Sequence, residues 1–157
     1  MSTDKEKLLA EREIILEELE RHGAYASTTS GVSMRPLFKT HRDVVILEKP
    51  KSPPKKYDVV LYPSKTGKFL LHRIIGESRG GEEYLIRGDN TYHIERVAKS
   101  EIVAVLTAFN RKGKHRTVNG RGYKIYSRVW NFIYPLRFTA FKLRAVLSKI
   151  KRGILRR

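Results

Sequence analysis

One serine, one histidine and two carboxylates stand in this chain where they could build a hydrolytic centre. Ser33 sits in TTSGVSMRP (28–36), between Gly31, which permits a backbone turn that a side chain would obstruct, and Pro36, which fixes φ just past it. Such a turn displays a hydroxyl from a stiff loop at a sheet edge. A serine hydroxyl is a poor nucleophile until a base takes its proton, and His72 in LLHRIIGE (70–77) is the candidate base. Strand alternation puts Leu70, His72 and Ile74 on one face, so the imidazole points to a partly apolar cleft or the core. A carboxylate behind it would fix the tautomer and stabilise the imidazolium formed on attack. The chain has no cysteine, which excludes disulfides, thiolate metal sites and a thiol nucleophile.

Three segments in order, TTSGVSMRPLFKTHRDVVIL (28–47), LLHRIIGE (70–77) and YLIRGDN (84–90), resemble the nucleophile, base and G-D-N boxes of the signal peptidase I family and its LexA-type relatives. In the bacterial and LexA-type branches the base is lysine, whereas the ER and archaeal branch uses histidine and is the closer match. The resemblance implies a β-rich serine endopeptidase with Ser33 as nucleophile and His72 as base. In that branch acids five and six residues beyond the Asp of G-D-N support the histidine; here those positions are Ile94 and Glu95, which leaves Glu95 or Asp89 to orient the ring. The backbone N–H of Ser33 and the hydroxyl or backbone of Ser30 are the candidate oxyanion donors. Gly31 and Met34 complete the oxyanion and substrate-binding set, Met34 also reading as a core plug.

The same residues admit plainer uses. Gly-Asp-Asn is good turn chemistry, and Asp89 can pair with Arg87 or Arg73. His72, His93, Glu95 and Asp89 lack any compact HExxH-like spacing, so neither a metal nor another cofactor is expected.

Length then limits what positions these groups: 157 residues suit one domain with appendages. Residues 1–23 read as an amphipathic helix, with Leu8, Leu9, Ile15, Leu16 and Leu19 at helical spacing and Gly23 as a stop. Residues 24–110 read as a mainly antiparallel β catalytic domain, with apolar runs at 43–49, 57–63, 68–77, 83–88 and 100–109 between turn signals. Residues 111–157 read as a basic tail: a polar loop or hairpin tip at 111–120, then one or two amphipathic helices broken near Pro135. The expected fold class is therefore mainly β, signal peptidase or LexA-like, with an N-terminal amphipathic helix and basic C-terminal helices.

The net charge of +17 is unevenly spread, since fifteen of the 33 Lys and Arg lie at 111–157 and no Asp or Glu follows Glu101. Cations interleaved with aromatics and a periodic apolar face suit an anionic membrane surface ahead of nucleic acid. No stretch approaches the roughly 20 apolar residues of a membrane span, and the N-terminus lacks a secretory pattern, so the expected place is the cytoplasm or the inner face of a membrane. The expected partner is a peptide or protein precursor as substrate. Two other functions fit the same residues: a catalytically silent module that holds an extended peptide beside its strands, and a LexA-like regulator that cuts only itself.

Overall fold

The computed structural model describes residues 2–143 and is a curled antiparallel sheet with three helical segments. After α1 (Ser2–His22) come β1 (Ala24–Thr28), β2 (Val44–Glu48), β3 (Val59–Pro63), β4 (Phe69–Glu77), β5 (Glu83–Arg87), β6 (Glu95–Ala98), β7 (Ala104–Arg111) and β8 (Lys114–Thr117). The strand order is β1-β2-β7-β3-β4-β5-β6, with β8 hydrogen-bonded to β7. Then follow α2 (Arg121–Phe132) and helical residues 134–143. The second half of the expected tail helices, with Ala145, Leu147, Ile150 and Ile154, lies outside the described residues.

The sheet carries a core on each face, because its central strands are apolar at both odd and even positions. Val59 and Leu61 join Met34, Phe38, Val45, Leu47, Leu106 and Phe109 in one cluster, while Val60 and Tyr62 join Ile74, Tyr84, Ile86 and Val97 in the other. A strand that is buried at every position reads as a continuous apolar run rather than an alternating one, and β3, VVLY followed by Pro63, is such a strand.

α1 covers the first cluster with a narrower stripe than its periodicity suggests. Ile15 and Leu19 are buried, but Leu9 and Leu16 are 47% and 40% exposed. The predicted stop holds: Gly23 has φ +69° and its N–H bonds the Leu19 carbonyl at 3.1 Å. The segment 111–120 forms the β7–β8 hairpin, whose Lys112 and Gly113 both have positive φ, as a tight two-residue turn of the favoured hand requires.

One of the ties between the C-terminal helix and the sheet is a buried ion pair. Arg73 on β4 is fully buried, and its Nε and Nη2 donate to the two carboxylate oxygens of Asp89, each at 2.7 Å. From α2, Tyr126 Oη donates to Asp89 Oδ2 at 2.9 Å and Trp130 Nε1 to the Asp89 carbonyl at 2.8 Å. Arg137 Nη2 donates to the same carbonyl at 3.0 Å. Tyr123 accepts from Arg73 Nη1 at 3.1 Å.

Removing one member of such a pair strands the other charge in a dry place. Asp89→Leu should cost about 3–5 kcal/mol, whereas Arg73→Met combined with Asp89→Leu should recover a large part of that loss. Denaturant unfolding of the two single variants and the double checks this; a double variant as unstable as the sum of the singles would show that the two side chains are not coupled.

Candidate functional site

The loop that carries Ser33 is bent back on itself by backbone and side-chain bonds. The His41 N–H bonds the Thr29 carbonyl at 3.0 Å, and the Thr40 hydroxyl bonds the Gly31 carbonyl. Asp43, wholly buried, closes the base of the loop. Its Oδ1 and Oδ2 accept from Arg42 Nε at 2.6 Å and Nη2 at 2.8 Å, and Oδ2 also accepts from the Lys39 N–H at 2.8 Å. Those bonds, the Arg42 one foremost, hold the Asp43 carboxyl below its ordinary value against the opposing effect of burial. Gly31 has φ +81°, yet a Cβ built on it would meet nothing within 4 Å. What it supplies is therefore left-handed backbone, not relief from crowding.

On the second face of the sheet His72 is 7% exposed. Its Nδ1 lies 3.0 Å from Tyr62 Oη and 3.3 Å from Glu95 Oε1, and Tyr62 Oη donates to that same carboxylate oxygen at 2.9 Å. With the Tyr62 proton committed to Glu95, the Tyr62 oxygen accepts from Nδ1–H, which leaves Nε2 as the imidazole nitrogen with a free lone pair. Burial lowers the His72 pKa below its ordinary 6.5, opposed by the charges of Glu95 and Asp89, so the ring is neutral at neutral pH. Burial above all, with Glu95 adding to it, pushes the Tyr62 phenol far up, so it stays protonated.

Gly88 is where the Ser33 loop meets the sheet. It follows β5 directly, one residue past Arg87, which faces Arg73 in the β4–β5 ladder. The Ser33 backbone packs onto this glycine: a Cβ at position 88 would lie 2.8 Å from the Ser33 carbonyl oxygen and 3.1 Å from Ser33 Cβ. The Asn90 N–H fixes the approach with a 2.7 Å bond to the Ser33 carbonyl, and Asn90 Nδ2 donates to the Val32 carbonyl at 3.2 Å. Among the described residues the Ser33 hydroxyl makes no hydrogen bond. The carboxylate nearest the imidazole is Glu95, while Asp89 is taken up by Arg73 and the C-terminal helix.

Ser33 also borders a groove of about 440 Å³. Its walls come from the 27–34 segment, the inner faces of β2, β3 and β4 (Val45, Leu47, Leu61, Phe69, Leu71) and Leu8, Arg12 and Ile15 of α1. Ser30, Gly31 and Met34 all line it, Met34 being buried in the core as well. His72, Tyr62 and Glu95 do not line the groove but stand on the other face of β4. His93 is exposed, and among the described residues no three His, Asp or Glu side chains converge as a metal would require.

No protein-family model and no curated protein matches this chain.

Three contributors to this arrangement go beyond the residues singled out from the sequence. Tyr62 was visible only as an apolar strand residue; the two-residue alternation of Val60 and Tyr62 against Leu70 and His72 is the signal that puts it on the histidine's face. Asp43 stands at the polar edge of the apolar run 43–49, where it reads as a turn residue. Gly88 belongs to the G-D-N box, but its role is steric and depends on a contact some 55 residues away in sequence.

Because folding lowers the His72 pKa, the unfolded chain binds a proton that the folded chain refuses between that lowered value and 6.5. Stability should thus fall as pH drops below 6.5, and His72→Gln should flatten the fall; denaturant midpoints near neutral pH and at about pH 5 measure both. Gly88→Ala should destabilise by about 1–3 kcal/mol, because the nearest obstacle is backbone and must move. It should also shift the amide resonances of Ser33 and Asn90, read in a heteronuclear correlation spectrum; unchanged resonances would mean that the loop does not rest on this glycine.

Proposed function

We propose that the chain is a serine endopeptidase of the histidine-using signal peptidase type. The observation that carries the reading is the buried His72, oriented at Nδ1 by Tyr62 and Glu95, with the Ser33 backbone resting on Gly88 just past the strand that pairs with β4. Ser33 Oγ attacks the carbonyl carbon of a peptide laid in the groove, and His72 Nε2 takes the hydroxyl proton. The imidazolium then gives that proton to the departing amine as the C–N bond breaks, and a water molecule, deprotonated by the same nitrogen, hydrolyses the acyl ester. Glu95 stabilises the positive ring directly and through Tyr62, while the Ser33 N–H and Ser30 are the donors for the oxyanion. Asp89 serves as a structural group that fixes the Gly88 and Asn90 backbone. A peptide precursor with an extended, largely apolar segment suits the walls of the groove.

A second reading rests on the Ser33 hydroxyl having no hydrogen-bond partner among the described residues: the same groove holds an extended peptide without cutting it. The two are separated by a fluorophosphonate probe with mapping of the modified residue. Under the peptidase reading Ser33 is labelled, Ser33→Ala abolishes labelling, and His72→Ala slows it by about 10²–10⁴-fold. The Ser33→Ala/His72→Ala double variant should be no worse than Ser33→Ala alone, since the pair acts as a unit. Glu95→Gln should slow labelling more than Tyr62→Phe, which removes one link and leaves the carboxylate. Labelling of His72→Ala at the wild-type rate would remove the histidine from the mechanism, and absence of any Ser33 adduct in the folded wild type would favour the binding module.

A further inference from the structure

The helix that locks onto Asp89 is turned inside out with respect to a common amphipathic helix. Its inward side carries Tyr123, Tyr126, Ser127, Trp130 and Arg137, which bond to Arg73, to Asp89 and to the helix itself. Its aliphatic side faces away from the domain. Ile125, Val129, Phe132 and Leu136 are 63%, 51%, 85% and 72% exposed. They recur at steps of four, three and four residues, and Leu143, 61% exposed, falls seven residues on, so they form one stripe on α2 and the helical residues after it.

We propose that this stripe is a docking surface for an anionic lipid bilayer, on which α2 and residues 134–143 lie in the interface plane. Charge selects this occupant. Arg121, Lys124, Arg128 and Lys142 are exposed beside the stripe, and no Asp or Glu occurs anywhere after Glu101. A second copy seated stripe to stripe would bring these cations against their own kind, and a nucleic acid would leave Phe132 and Leu136 in water. Anionic head groups take the cations while the acyl boundary takes the apolar side chains. This proposal does not rest on the peptidase reading, since no residue of the Ser33 site takes part.

The test uses the full chain with vesicles of phosphatidylcholine alone and of phosphatidylcholine with phosphatidylserine. Co-sedimentation should require the anionic lipid. Phe132→Ser/Leu136→Ser, both at exposed positions, should lower partitioning at least tenfold, and Arg121→Glu/Lys124→Glu should do the same at low salt with the fold intact by circular dichroism. Trp130, the only tryptophan, is packed inward, so its emission should stay unchanged when the protein pellets. Four results would overturn the proposal: no pelleting with anionic vesicles, pelleting unaffected by the Phe132 and Leu136 changes, lipid-induced change in Trp130 emission, or a dimer in sedimentation that dissolves on Phe132→Ser.

Discussion

The Arg73–Asp89 pair is the constraint on which one end of this protein is built. An arginine removed completely from water is tolerable only if each face of its guanidinium group meets a partner. Asp89 occupies two of its nitrogens, and the Tyr57 carbonyl and the Tyr123 hydroxyl share the third. Meeting that demand fixes four pieces of chain that are distant in sequence: β4, the turn before β3, the loop after β5 and the C-terminal helix. Tyr57 is held at φ +83°, a conformation a tyrosine avoids when free, with its N–H on the Ile74 carbonyl and its own carbonyl on Arg73. The strain sits beside the pair that compensates it.

From this lock the order passes to the Ser33 loop by backbone alone. Asp89 is flanked by Gly88, against which Ser33 packs, and by Asn90, whose N–H holds the Ser33 carbonyl. The imidazole is oriented by a separate set, Tyr62 and Glu95, on the opposite face of β4. The Ser33 loop and the imidazole are thus held by two hydrogen-bond networks on either side of β4, linked by the charge of Asp89 acting on His72. Each network is closed by a carboxylate.

The five apolar runs were legible because the interior strands are bounded by Pro, Gly and Ser, and each of the five overlaps a strand of the sheet. The strands that escaped are those that hold their place by backbone pairing with little apolar content: AYAST of β1, ERVA of β6 and KHRT of β8. Ser33, His72 and Glu95 could be singled out through the resemblance of their three segments, but the seat of the Ser33 loop could not, since it rests on a glycine whose significance lies in the atom it lacks. The tail shows a further limit. Its periodicity was plain, but which side faces the domain was not, because the aromatic residues that read as membrane-seeking are those that hydrogen-bond to the sheet.

β4 itself, LLHRII, reads almost the same on both faces: a leucine and an isoleucine at odd positions, a leucine and an isoleucine at even ones, with a histidine and an arginine between them. Hydrophobicity alone would accept this strand either way up. A slip of one residue against β3 would bury the guanidinium among Val60, Tyr62, Tyr84 and Ile86 and send the imidazole to the face that holds Asp89. The misfit charge makes that alternative too costly, so a pair of adjacent polar residues keys the strand in the sheet, much as a notch prevents a symmetrical plug from entering upside down.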